Sequence, residues 1–312
     1  MFLFCFFGLQ ASYLTWGFMQ ELVMTTQFRP TTRTPDGYFP SSAFCVFTNR
    51  VAAMLVAWVV CVKYRGGVTG AAPMTAFLPC SLSNTMSSWS QYASLKYVSF
   101  PMQSIFKSAK VIPVMIMGKV VQNITYSMVE YGEACMITAG VFLFSLQQGS
   151  EHMHDKSNFY GVLLLLGYIC SDSFTSQYQS SIYKKYGKVD QYHMMFGVNM
   201  WSTLMSLASI LLAGEVLTIV EFMQENPVSF TYNLISAICG TTGQFFIYTT
   251  IKEFGPVTFT IIMTTRQMLS MVFSTVYFGH SMDTTSVLAV ILVFGTVFYS
   301  VKRRKDASMA KE

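Results

Sequence analysis

Lys107 and Lys110 stand three residues apart in Phe100-Pro-Met-Gln-Ser-Ile-Phe-Lys107-Ser-Ala-Lys110-Val-Ile-Pro113, and Arg266 stands in Phe259-Thr-Ile-Ile-Met-Thr-Thr265-Arg266-Gln267. On a helix, a spacing of three puts both ammonium groups on one face, where they repel unless an anion sits beside them. The chemistry open to such a set is electrostatic capture of an oxyanion. Arg50 is a fourth cation in an apolar stretch, while Glu21 and Asp172 are the acids set against the four, and Arg50 could use up Glu21. Two readings remain, internal ion pairs or a site for a multiply charged anion; the shortage of acids favours the second. Gln91 and Tyr92, Phe196 and Asn199, and Gln244 and Tyr248 could stack on a base and hydrogen-bond its edges, with Asn84 and Trp89 in support. Each could equally serve as polar glue between helices. As a group beside three cations, they favour a nucleotide over a simple oxyanion.

Other chemistries find little support. Glu151, His152, His154 and Asp155 fall in a loop without metal-ligand spacing and read as a solvated turn. No phosphate-binding glycine loop, zinc-protease helix or nucleophile elbow occurs. An embedded enzyme using Asp172 and the histidines lacks a paired nucleophile and base. Cys5, Cys45, Cys61, Cys80, Cys135, Cys170 and Cys239 are scattered singly in apolar surroundings, which reads as packing rather than disulfides. No cofactor or metal is expected, and nucleic acid is not an expected partner.

The elements that must hold these residues follow from composition. The 312 residues are 52% hydrophobic and 11% charged, against about 25% charged in a soluble domain, and the mean hydropathy is +0.43. The lipid bilayer is the solvent this implies, and the fold class is all-α and polytopic. Ten apolar runs approach spanning length, at residues 3–26, 42–62, 74–95, 101–119, 129–147, 159–179, 192–213, 229–250, 256–278 and 284–301. The third is serine-rich and the fourth carries the lysine pair, so both are expected to line a cavity. The first reads as an anchor helix rather than a cleaved signal. At 1.5 Å per residue, Lys107 lies about 9 Å and Lys110 about 14 Å beyond Pro101, and Arg266 about 15 Å beyond Pro256. These depths converge near mid-membrane.

With both ends on one side, that side receives Lys63, Arg65, Lys119, Lys184, Lys185, Lys188, Lys252 and the tail from Lys302 to Lys311. By the bias of basic residues, it is the cytosolic side. A shift of about 156 positions lays Tyr92 on Tyr248, Lys96 on Lys252 and Lys110 on Arg266. Five-helix halves in opposite orientation, residues 1–150 and 151–312, would build an alternating-access carrier with a midplane site.

The runs around Lys107 and Arg266, with Gln20-Glu21 closing the first helix, resemble the nucleotide-sugar transporter family of the drug/metabolite transporter superfamily. Asp172-Ser-Phe-Thr-Ser176 and Met195-Phe-Gly-Val-Asn199 resemble the branch that carries 3′-phosphoadenosine 5′-phosphosulfate (PAPS). The resemblance implies ten helices in two inverted repeats and a multi-pass protein of the Golgi membrane with both termini cytosolic. It implies import of PAPS for sulfation in exchange for an adenine nucleotide, another nucleotide or a UDP-sugar being the alternative cargo. It also leaves room for a homodimer. Lys107, Lys110 and Arg266 would grip phosphates and Glu21 would gate or balance them. Phe196 and Asn199 match the ends of a Phe-Tyr-Asn-Asn base-recognition motif, from which Gly197 and Val198 depart. Gln267 stands where some relatives have a second basic residue.

Overall fold

The structure, a computed structural model, describes residues 1–68, 71–94, 97–98, 103, 106–107, 109–149, 159–277 and 284–309. Every regular element among them is helical: α1 (Phe2–Thr25), α2 (Ser42–Tyr64), a 3-10 turn (Met74–Phe77), α3 (Leu78–Ser94), α4 (Val111–Gln122), α5 (Met128–Gly149), α6 (Phe159–Lys185), α7 (Gln191–Leu212), α8 (Val216–Glu225), α9 (Pro227–Tyr277) and α10 (Thr284–Met309). Of these, α1, α2, α6, α7 and the 227–269 part of α9 are long and apolar enough to cross a bilayer. Their outward faces are apolar too, with Leu55, Val59, Leu163, Leu166, Leu207 and Leu211 exposed. Water would penalise such surfaces and hydrocarbon accepts them, as in a polytopic membrane protein.

Helix boundaries have local causes. Ser41 caps α2 by accepting the Phe44 N–H at 3.1 Å, and Asp190 caps α7 by accepting the Tyr192 and His193 N–H groups, each at 2.9 Å. Asn123 ends α4 in the left-handed conformation (φ 53°, ψ 30°), which asparagine tolerates better than most residues. Within α9, Gly255 has φ 81° and ψ 167°, and Pro256 follows. Glycine takes that backbone without strain and proline has no N–H to give to the preceding turn. The helix therefore breaks into arms 227–254 and 256–277, between two of the expected spans.

The residues pack as two compact units. The first comprises Met1–Thr85 with Ile182–Phe254, and the second Met86–Ser181 with Gly255–Glu312. Each draws on both halves of the chain, so this is a different division from 1–150 and 151–312.

In the first unit α2 packs on α7. The buried positions of α2, Cys45, Asn49, Ala53, Ala57 and Cys61, recur every four residues, and the small ones let a neighbouring backbone approach. The ten-residue α8 was not among the expected spans. It is far too short to cross a bilayer, and it buries Ile219 and Phe222 on one face. Phe222 meets Phe28 and Phe39 edge to face at 5.7 and 5.5 Å and joins Val23 and Cys45 in a small core. The segment between α1 and α2 is tied to this corner. The Arg29 N–H donates to Asn226 Oδ1 at 3.0 Å, Arg33 pairs with Glu221 at 3.0 Å, and the Ser41 hydroxyl donates to Glu215.

In the second unit the core is Val111, Val114 and Met115 of α4, Ala134, Ile137 and Val141 of α5, Val257, Ile261 and Met268 of α9, and Ala289, Val293 and Val297 of α10. α5 and α10 approach closely at Gly140, where a Cβ would lie 2.5 Å from Val293 Cγ2. At the end of that contact, the buried Glu133 accepts from Ser300 Oγ at 2.8 Å and from Arg303 Nε at 2.7 Å. On the part of α3 in this unit, Ser87, Ser90 and Ser94 are buried while Trp89 is exposed. Cys5, Cys45, Cys61 and Cys80 are buried as expected, whereas Cys135 and Cys170 lie on exposed helix surface.

Removing Arg303 strands a buried carboxylate, so Arg303→Ala is expected to destabilise the second unit by about 2–4 kcal/mol. Thermal unfolding of the purified protein in detergent reads this as a lower midpoint. Glu133→Gln made together with Arg303→Ala should recover part of the loss; an unchanged midpoint for Arg303→Ala alone would show that the clasp contributes nothing.

Candidate functional site

Lys107, Lys110 and Arg266 all belong to the second unit. Lys110 immediately precedes α4 and extends its ammonium to α6, where Nζ lies 3.0 Å from Asp172 Oδ2. The pair is enclosed without being sealed, with side-chain exposures of 12% for Lys110 and 31% for Asp172. The charges of Lys110, Arg266 and Asp172 all act on Lys107, and those of Asp172 and Arg266 act on Lys110, with the Tyr168 phenol nearby. Tyr168 and Asp172 are four residues apart on α6 and so share a face. Lys107 is half-buried and makes no ion pair with any described residue. Arg266 and Gln267 are half-buried on the second arm of α9, and both have partners within the protein.

The second unit thus gathers three cations and a carboxylate around the α4–α6–α9 junction. Gln91 is also in this unit and half-buried; its carbonyl accepts from Gln103 Nε2 at 2.8 Å. The side chains of Tyr92 and Glu21 lie outside the described residues, as do Lys96 and the loop carrying Glu151, His152, His154 and Asp155.

The remaining candidates lie in the first unit and form their own cluster. Asn199 is fully buried, and its Nδ2 donates to Gln244 Oε1 at 2.6 Å and to the Met195 carbonyl at 2.7 Å. Arg50 Nη1 donates to Asn199 Oδ1 at 3.4 Å, so the described partner of this guanidinium is an amide. Tyr248 is buried, and its carbonyl accepts from Tyr183 Oη at 3.3 Å. Asn49 Oδ1, next to Arg50 in sequence, is buried with no hydrogen-bond partner among the described residues. Phe196 is half-buried at the edge of this cluster's helix, α7.

The departures at Gly197 and Val198 have a physical cause. A Cβ at Gly197 would lie 2.3 Å from the ring of Phe77, which is itself buried. Val198 is fully buried and its carbonyl accepts from Ser81 Oγ at 2.8 Å. Both positions are committed to packing α7 against the 3-10 turn and the start of α3.

Two residues outside the expected site belong in this description. Asp172 is the direct partner of Lys110, and Arg50 is hydrogen-bonded to Asn199. Each was visible beforehand as a charge in an apolar run, but the partner of each is far away in sequence.

The second unit thus holds several cations beside one carboxylate, and the first unit holds a separate cluster of buried amides. A model of the UAA transporter family matches residues 1–304. The human protein named adenosine 3′-phospho 5′-phosphosulfate transporter 1 is 42% identical over 97% of this chain and 69% of its own length. Its Drosophila melanogaster namesake is 39% identical over 96% of this chain and 64% of its own length. UDP-galactose/UDP-glucose transporter 5 of Arabidopsis thaliana is more distant, 30% identical over 98% of this chain and 88% of its own. A protein chain of known crystal structure superposes with a TM-score of 0.62 at 11% identity, covering 94% of this chain and 96% of that one, and so shares the fold.

Gly197→Ala drives a methyl group into the Phe77 ring and is expected to cost about 1–3 kcal/mol, the usual effect of overfilling a packed site. The check is a lower thermal midpoint in detergent, relieved when Phe77→Leu is added. A midpoint that stays in place would contradict the close approach.

Proposed function

Because the chain belongs to the UAA transporter family, we propose that it is a Golgi-membrane antiporter that carries PAPS from the cytosol into the lumen and returns an adenine nucleotide. The relatives named for PAPS are more similar to it than the one named for UDP-galactose and UDP-glucose. The observation that carries the reading is the gathering of Lys107, Lys110 and Arg266 in one packing unit with Asp172 among them. PAPS bears several negative charges on its phosphosulfate and 3′-phosphate. Ammonium and guanidinium groups form charge-assisted hydrogen bonds to such oxygens, and low dielectric strengthens them.

In this reading Lys107, Lys110 and Arg266 bind the phosphates, with Gln267 beside them and Glu21 as gate or balance. Gln91, Tyr92, Phe196, Asn199, Gln244 and Tyr248 receive the nucleoside, Arg50 holding Asn199 in position. The chain crosses the membrane ten times as two inverted five-helix repeats, 1–150 and 151–312, with both termini cytosolic. The sidedness rests on the basic residues at one set of helix ends. Exchange follows from charge, since an unloaded site with surplus cations reorients less readily than one neutralised by cargo. A homodimer is compatible with this reading and takes no part in it. The family is one of carriers, and the reading needs no bond to be broken.

Uptake of labelled PAPS into proteoliposomes preloaded with adenosine 3′,5′-bisphosphate tests this. Lys110→Ala and Arg266→Ala are each expected to lower uptake roughly 10- to 100-fold, the loss that accompanies one or two charge-assisted contacts. Full uptake by Lys110→Ala would remove that residue from the site. UDP-galactose competing as well as unlabelled PAPS would point to the other cargo, and equally fast uptake into empty vesicles would exclude strict exchange.

A further inference from the structure

The Lys110–Asp172 pair has a second reading that depends on where it sits. Asp172 faces a group of like charges: its carboxylate is 3.0 Å from Lys110 Nζ, and its charge acts on Lys107 as well. Lys107 has no ion pair of its own with any described residue. The carboxylate is also the more exposed partner, 31% against 12%, so it can release the ammonium without first breaking into a sealed core. An ionised carboxylate oxygen offers an ammonium the same acceptor and the same sign of charge as a phosphate or sulfate oxygen.

We infer that Asp172 is the internal counter-ion of the unloaded carrier, occupying on Lys110 the place that an oxyanion of the cargo takes, so that loading exchanges one ion pair for another. The inference rests on the proposal that this cluster takes an anionic nucleotide, and it adds three things. A ligand with one negative charge only replaces the charge already there, whereas one with several can also engage Lys107 and Arg266. The site therefore selects for multiply charged anions by making weaker ones compete with its own carboxylate. Competition also keeps affinity moderate, which a carrier needs in order to let go. Finally, Asp172 neutralises Lys110 in the unloaded site, and thereby sets how much net transport leaks past the exchange.

A carboxylate that only orients Lys110 would behave in the opposite way. Removing an orienting group weakens cargo binding, while removing a competitor strengthens it. The experiment is PAPS uptake into proteoliposomes by wild type, Asp172→Asn, Asp172→Ser and Asp172→Glu, with ATP and UDP-galactose run in parallel. Loss of the carboxylate is expected to lower the KM for PAPS about three- to tenfold, the range for removing one partly exposed ion pair. It should also lower the maximal exchange rate and reduce uptake into empty vesicles relative to preloaded ones. Asp172→Glu, which keeps a carboxylate on the same turn of α6, should shift the KM and the ratio less than the Asn and Ser variants do. A raised or unchanged KM in the Asn and Ser variants overturns the inference. So does failure of both to accumulate as folded protein when Asp172→Glu does, because the carboxylate would then be a structural clasp. If wild type takes up ATP or UDP-galactose but not PAPS, the cargo assignment fails and the same comparison on the transported nucleotide decides the role of Asp172.

Discussion

A positive charge placed in hydrocarbon must be compensated within reach of its own side chain. An isolated ammonium there is costly, and a partner that fits well offsets much of the cost. Lys110 meets this condition at α6 through Asp172, which ties the start of α4 to the middle of another helix. At the end of α10 the roles reverse, the buried charge being the carboxylate of Glu133 and its partner the more exposed Arg303. Arg50 meets the condition differently, with an amide that is itself held by Gln244. The polar architecture of this largely apolar chain is in good part a set of answers to that single demand.

The answers differ in how final they are. Glu133 is nearly inaccessible, grips Arg303 through two oxygens and takes Ser300 as well, so it fixes one helix to another. Asp172 is more open, and its cation has cationic neighbours. Asn199 spends its amide on the protein, donating to both Gln244 and Met195. A nucleobase arriving there would have to offer replacement contacts rather than fill a vacancy. Structural and exchangeable polar contacts are built from the same residue types, and what separates them is access.

Much of the helix layout could be read from apolar run length. The break between two of the runs falls at Gly255-Pro256, a dipeptide that announces itself. The helix α8 escaped because run length detects spans, and a ten-residue element held by Ile219 and Phe222 is stabilised by packing on Phe28 and Phe39 rather than by spanning. The cations of the site stood out because charge is rare here. Their partners were less legible: Lys110 and Asp172 are 62 residues apart, and Arg50 and Asn199 are 149 apart, so only the fold brings them together. The loss of the motif residues at 197 and 198 was visible as a substitution, but its cause, the ring of Phe77, was not.

Cys170 lies on exposed surface of α6, two residues before Asp172. Side chains two apart on a helix point to different faces, so a label on this thiol would stand away from Lys110 while riding on the same turn of backbone. The chain thus carries a native attachment point for a spin label or fluorophore that reports on α6 from outside the site. With Cys135 also exposed and Cys239 half-buried, serine at those two positions isolates the signal. The movement of the helix that holds the counter-ion could then be followed spectroscopically without altering any residue that touches it.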